Sequence, residues 1–119
     1  MAVWADREAL QQILTNLFDN AVRHTPGSGR VSVHAAIEPD QTVVSVSDTG
    51  VGIAPEHLPR IFERFYRVDP ARSREAGGTG LGLAIVKHLM ESHGGKVQAE
   101  STPGSGTTIR LHFPTPPVA

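Results

Sequence analysis

The sequence predicts an α+β domain from three observations: a long amphipathic helix near the start, two pairs of alternating apolar segments bounded by Gly and Pro, and a second amphipathic helix between those pairs. At 119 residues the chain reads as a single domain, 1–119, large enough to bury a core without staples. It has no cysteine and a formal net charge of -1, so disulfides and thiolate chemistry are excluded. A nucleic-acid binder is also disfavoured, since phosphate-backbone binding needs an excess of Lys and Arg. No apolar run approaches the roughly 18 residues of a membrane span, and no signal peptide is visible, so the chain is expected to be soluble. The lack of cysteine fits the cytoplasm, and a cytoplasmic domain of a membrane-bound protein is the expectation. Met1-Ala2 and Pro114-Thr-Pro-Pro117 look like cut points.

The first helix is expected from about Asp6 to His24, with Asp6 as N-cap and Glu8 in the first turn, where a carboxylate suits the positive end of the dipole. Ala9 stands where a capping box would want Glu or Gln. Leu10, Ile13, Leu14, Leu17, Phe18, Ala21 and Val22 recur at helical intervals and predict the core face. Asn16, Asn20, Arg23 and His24 form a polar stripe within roughly 100° of arc beside it.

Thr25-Pro-Gly-Ser-Gly29 stops that helix. Val31, Val33 and Ala35, then Val44 and Val46, predict a hairpin through Pro39-Asp40. Pro55 to Tyr66 suggests one or two short helical turns carrying Leu58, Ile61, Phe62 and Phe65. Arg67 to Gly78 is polar, lacks an apolar period and reads as a mobile loop, about 67–78. The next helix runs from about Gly80 to His93, with Leu83, Val86, Leu89 and Met90 inward and Gly94-Gly95 as its stop. Val97 and Ala99, then Ile109, Leu111 and Phe113, predict a second hairpin around Pro103-Gly-Ser-Gly106.

Function is carried by two glycine clusters, Asp48-Thr-Gly-Val-Gly52 at a strand end and Gly77-Gly-Thr-Gly-Leu-Gly-Leu83 opening a helix. Glycine lets backbone approach a phosphate closely, and a helix N-terminus offers unpaired N–H groups and a positive dipole end. Together they read as a nucleotide site. Asp48, at the end of an apolar strand, is placed to accept hydrogen bonds from an amino group such as that of adenine. The bland alternatives are a solvated polar face for Asn16 and Asn20 and a turn former at Asp48. Both lose ground because the motifs occur together and in order. The histidines at 34, 57, 88, 93 and 112 show no metal spacing.

These residues resemble, across nearly the whole chain, the catalytic ATP-binding domain of sensor histidine kinases (the Bergerat-fold, GHKL class). Asn16-Leu-Phe-Asp-Asn20-Ala-Val-Arg-His24 resembles the N box and Asp48-Thr-Gly-Val-Gly52 the G1 box. Phe62-Glu-Arg-Phe65 is similar to the F box, Gly78-Thr-Gly-Leu-Gly-Leu83 to the G2 box, and Gly104-Ser-Gly106-Thr107 to the last glycine motif. The run from Arg72 to His88 is especially similar to kinases of the phosphate-sensing type.

The resemblance implies a two-layer α/β sandwich with a mobile ATP lid. Its sheet would be mixed but largely antiparallel, with about five strands covered by about three helices. It also implies ATP and Mg²⁺ as ligands. Asn20 would bind the metal through its side-chain oxygen, Asn16 would support the phosphate and metal shell, and Arg23 and His24 would approach the phosphates. Asp48 would accept the adenine amino group, with Gly50, Gly52 and Thr107 completing the base pocket and Ile53 and Ala21 as walls. Gly78, Gly80, Leu81 and Gly82 would present N–H groups to the phosphates, Arg67 would reach them from the lid, and Phe62 and Phe65 would anchor the lid.

Two absences sharpen the expected activity. There is no G-x-x-x-x-G-K-[ST] run, which sets aside the P-loop. ATPases of the gyrase, chaperone and mismatch-repair type place a water-orienting Glu four residues before the metal Asn, where this chain has Asn16. Poor hydrolysis is therefore expected. The family's acceptor His sits on a separate dimerisation domain and is followed by Glu or Asp. The six histidines here are followed by Thr25, Ala35, Leu58, Leu89, Gly94 and Phe113. The expectation is a monomeric catalytic half whose partners are that phosphoacceptor domain and a response regulator. An anti-sigma-type serine kinase of the same fold and a nucleotide-gated interaction module without transfer activity remain the alternatives.

Overall fold

The computed structural model describes residues 7–25, 27, 29–66 and 82–114. In chain order they form helix α1 (Arg7–His24), strands β1 (Val31–Ile37) and β2 (Gln41–Asp48), a 3₁₀ turn (Leu58–Arg60), helix α2 (Gly82–Ser92), and strands β3 (Lys96–Thr102) and β4 (Gly106–Pro114). Both expected helices and both expected hairpins are present. The Asp6 cap lies outside the described residues, as do the lid and Arg67, Gly78, Gly80 and Leu81. The expected short helical turns of 55–66 appear as the 3₁₀ turn, which contains Pro59, and as hydrogen-bonded turns on either side of it, with His57 N–H on the Ala54 carbonyl at 3.0 Å and Glu63 N–H on the Arg60 carbonyl at 2.9 Å. Proline supplies no N–H for a continuing helix.

The four strands make one sheet in the order β1-β2-β4-β3, and every pairing is antiparallel. Among the described residues the sheet thus has four strands and no parallel pair, against the expected mixed sheet of about five, and two α-helices rather than about three. Each hairpin makes its own two strands antiparallel, and the central β2–β4 pairing joins the hairpins in the same sense.

Residues directly opposite in an antiparallel ladder point to one face. One face therefore carries Val44 and Val46 on β2, Ile109, Leu111 and Phe113 on β4, and Val97 and Ala99 on β3. Helices α1 and α2 cover it with Ile13, Leu17, Ala21, Val86 and Met90, and Ile61 closes the cluster. Leu111, Val86 and Met90 are fully buried, each an apolar side chain whose burial contributes about 1.5–3 kcal/mol.

The expected core face of α1 is partly corrected. Phe18 and Val22 are 38% and 64% exposed, whereas Ala9 is buried. At 100° per residue Phe18 and Val22 lie more than a quarter turn from the line through Ile13, Leu17 and Ala21, beyond the reach of sheet and α2. On β1, likewise, Val33 and Ile37 face the helix side opposite Val46 and Thr42 but stay 50% and 73% exposed.

Topology brings the motifs to one end. Helix α1 finishes beside the β2 exit, where the Val51 N–H donates to the His24 carbonyl at 3.2 Å. Helix α2 ends at the opposite end of the sheet, where Gly95 N–H donates to Met90 C=O at 2.9 Å and Gly94, at φ 74°, approaches Pro114. Helix α2 starts at Gly82 and is about 16 Å long at 1.5 Å per residue.

Candidate nucleotide site

The end of the site at the β2 exit is built by two turns that interlock. Leaving β2, the Gly50 N–H donates to Asp48 Oδ1 at 2.8 Å, a side-chain turn that leaves Oδ2 uncommitted to it. Gly50 is buried, and only glycine fits there, because a Cβ would stand 2.1 Å from the His24 carbonyl oxygen. Gly52 adopts φ 75°, and its Cβ would meet the Thr102 carbonyl at 2.3 Å. From the other side, the β3–β4 turn places Gly104 N–H on the Val51 carbonyl at 2.8 Å. Gly106, at φ 125°, lies so close to Asp48 that a Cβ would fall 2.0 Å from its carbonyl oxygen. The first and last glycine motifs are therefore in mutual contact, although 50 or more residues separate their members.

Register then aligns the side chains. Asp48 on β2, Thr107 on β4 and Ser101 on β3 are directly opposite one another in a single row, so neighbouring Cβ atoms stand about 4.5–5.5 Å apart. Thr107 is buried at 6% exposure. Ser101 was not among the expected site residues. Its Oγ donates to the Gly106 carbonyl at 2.8 Å, accepts from the Ile53 N–H at 2.7 Å and lies 2.9 Å from Thr107 Oγ1. The available signal was its place after Val97 and Ala99 in the inward alternation, where a hydroxyl needs a partner. A cleft opens here, lined in part by Asp48, Ser101, Thr107 and Ser105.

The polar stripe of α1 behaves differently. Asn16 Nδ2 is buried without a hydrogen-bond partner, a condition that costs on the order of 1–3 kcal/mol when nothing satisfies the donor. Asn20, one turn on, is half-buried. The His24 ring folds back so that Nδ1 meets the Asn20 carbonyl at 2.7 Å. A carbonyl only accepts, so Nδ1 carries hydrogen and Nε2 is left for solvent or ligand. Arg23 pairs with Asp19 at 2.9 Å on the exposed surface of the same helix. Such i,i+4 pairs are worth only about 0.3–0.5 kcal/mol, so Asp19 would not hold the guanidinium against a phosphate.

Of the remaining expected residues, Ile53 is half-buried and packed against the core, as a wall residue would be. Ala21 is 3% exposed within the core cluster itself. Gly82 begins α2 with open space around its Cβ direction. Phe62 packs against the core. Phe65 does not: it is 64% exposed and sits at φ 66°, a backbone twist that carries its ring away from the core. Tyr66, beside it, is held by the His57 ring and lies under the Arg60 guanidinium at 4.6 Å.

Among the described residues no group of three or more His, Cys, Asp or Glu could hold a metal ion. Mg²⁺ brought by a phosphate ligand would need only one or two protein oxygens, because it keeps waters and takes phosphate oxygens as well. The Asn16–Asn20 flank, with one buried donor unsatisfied, fits such a shared shell.

Comparison with known proteins identifies the family. The family model of histidine kinase-, DNA gyrase B- and HSP90-like ATPases matches residues 5–117. The chain is 50% identical over 112 residues to the sensor protein IrlS of Burkholderia pseudomallei, an alignment that covers 94% of the chain and 24% of IrlS. Among solved structures it is similar to the mycobacterial sensor histidine kinase MprB, at TM-score 0.84 and 36% identity over 98% of this chain and 78% of that one. It is also similar to full-length ShkA in complex with AMPPNP, at TM-score 0.80 and 39% identity over 98% of this chain and 24% of that one. It spans only about a quarter of IrlS and of ShkA. The chain belongs to the histidine kinase-, DNA gyrase B- and HSP90-like ATPase family, as a catalytic domain of the sensor histidine kinase type.

Proposed function

We propose that this domain binds Mg·ATP and passes the γ-phosphate to a histidine on a separate phosphoacceptor domain of its kinase, which in turn serves a response regulator. The observation that carries the reading is the pairing of the Asp48 carboxylate with the buried Thr107 hydroxyl in one row, together with the unsatisfied Asn16 amide on α1. One end suits a base with an exocyclic amino group, the other a phosphate–metal shell. ShkA, 39% identical, is described in complex with the ATP analogue AMPPNP, which supports a nucleotide of that kind here.

In this reading Asp48 accepts the amino group, Gly50 and Gly52 let the turn close over the base, and Ile53 forms a wall. Asn20 offers its amide oxygen to Mg²⁺ while Asn16 donates into the same shell. Bound Mg²⁺ would supply charge neutralisation on the phosphates. His24 Nε2 and a released Arg23 would approach the phosphates from the end of α1, and by the resemblance Arg67, Gly78, Gly80, Leu81 and Gly82 would supply the rest of their contacts. The incoming imidazole nitrogen forms its bond to phosphorus as the bond to the ADP oxygen breaks, and the imidazolium then loses a proton.

Asn16 stands where hydrolysing relatives of the fold carry a general base, and an amide cannot take a proton from water. The domain therefore holds ATP for a nucleophile delivered from outside, and as a fragment it works as a monomer in the cytoplasm.

The metal assignment is tested by calorimetric titration of ATP with and without Mg²⁺. Asn20→Ala should abolish most of the tightening that Mg²⁺ gives the parent, with an unchanged melting temperature because the residue lies off the apolar stripe. Equal Mg²⁺ dependence in the two proteins would remove Asn20 from the shell.

A further inference from the structure

We propose that Ser101 is a positioning residue that sets the polarity of the base pocket, making Thr107 an acceptor toward the ligand and thereby favouring an amino-bearing base over a carbonyl-bearing one. The inference rests on the reading of Asp48 as the base-contacting carboxylate.

The argument is a count of hydrogens and lone pairs. A serine hydroxyl has one hydrogen and two lone pairs. At Ser101 the hydrogen has one place to go, because the Gly106 carbonyl, 2.8 Å away, can only accept. One lone pair is taken by the Ile53 N–H at 2.7 Å, which can only donate. The 2.9 Å contact with Thr107 Oγ1 must then use the second lone pair, so the Thr107 hydroxyl donates to Ser101. Its own lone pairs are what remain for the pocket.

A threonine hydroxyl in a base pocket is ordinarily free to turn. As a donor it would satisfy the carbonyl of a guanine-like edge; as an acceptor it satisfies an amino group, directly or through a water. Ser101 removes that freedom at a site where Thr107 is 6% exposed and bulk water cannot readily supply a substitute partner. Asp48 and Thr107, adjacent in one row, then both present acceptors. A carbonyl placed against two acceptors leaves lone pairs opposed, a repulsive element of the kind specificity requires.

The test measures ATP and GTP dissociation constants for the 119-residue chain in Mg²⁺ by calorimetry and reads their ratio. A purely structural loss at Ser101, such as a loosened Gly52–Ile53 turn, weakens both nucleotides alike and leaves the ratio unchanged. Ser101→Ala should instead lower the preference for ATP about five- to tenfold, the equivalent of one net hydrogen bond. Ser101→Cys keeps the shape but offers only a weak acceptor; it should lower the preference similarly and serves if the alanine variant does not fold. Ser101→Thr, which retains the hydroxyl, should restore it.

An unchanged ratio in Ser101→Ala and Ser101→Cys would overturn the proposal, while Asp48→Asn run in parallel reports on the reading beneath it. If Asp48→Asn collapses the preference and the Ser101 variants do not, only the Ser101 role fails. If Asp48→Asn leaves the preference intact, the base reading itself fails and the Ser101 role with it.

Discussion

The two ends of the site are built on opposite plans. At the base end, Asp48, Ser101, Thr107 and the two glycine turns are tied to one another by hydrogen bonds and backbone contacts too close for a Cβ. On the α1 flank, Asn16 carries a buried amide donor with no partner, and Arg23 is held only by a surface pair. One end is satisfied internally; the other keeps a buried donor unsatisfied. If the two ends take base and phosphates as proposed, the preorganised end would lower the ordering cost of binding, and the open end would leave room for metal, water and an incoming nucleophile.

The sharpest way to break the base end is Gly106→Ala. The new methyl would have to displace backbone at Asp48, 2.0 Å away, from a residue at φ 125°. Strain and overpacking together should cost about 2–5 kcal/mol, read as a lower chemical-denaturation midpoint. A stability equal to the parent would show that the two glycine turns are not coupled. The α1 flank should respond with the opposite sign. Asn16→Leu replaces an unsatisfied buried donor with an apolar group of similar size and should raise stability by about 1 kcal/mol while weakening ATP. A destabilised Asn16→Leu would mean that the amide is already satisfied without ligand.

Glu63 offers a control outside both regions. Its hydrogen bond and charge interaction with exposed Arg60 hold its carboxyl below the usual carboxylate value, and the same partner raises Arg60 further. A depressed carboxylate contributes most above its ordinary range and loses that contribution as pH falls through the folded value. Because the pair lies in solvent, Glu63→Gln should leave melting at neutral pH unchanged. Any difference from the parent should vanish in acid, and a large neutral-pH loss would show that the pair does more than its exposure allows.

Local signals in the sequence were strong where chemistry and period coincide. Ile13, Leu17 and Ala21 mark the buried line of α1, and the apolar alternation in Val97–Ala99 and Ile109–Phe113 sets the inward face of the second hairpin. Alternation, however, names a face and not what covers it. Val33 and Ile37 follow the same pattern on β1 and remain exposed, as do Phe18 and Val22 on α1, since coverage depends on where the helices end. Ser101 was illegible for a related reason. A serine in a strand is unremarkable until the β2–β4 pairing places it in a row with Asp48 and Thr107, and that pairing joins segments about 60 residues apart. Phe65 belonged with the expected anchors by its resemblance to the F box, yet its positive φ is a backbone property that its aromatic side chain does not announce.

The central claim is that this domain holds Mg·ATP for a histidine it does not itself carry. Incubation with γ-labelled ATP and Mg²⁺, alone and with a dimeric helical domain bearing the acceptor histidine, tests it directly. The expected result is no label on the 119-residue chain and negligible phosphate release when it is alone, with acid-labile label on the added domain when both are present. Acid-stable label on this chain, or steady ATP turnover without a partner, would contradict the claim and point to a serine kinase or a free-standing ATPase.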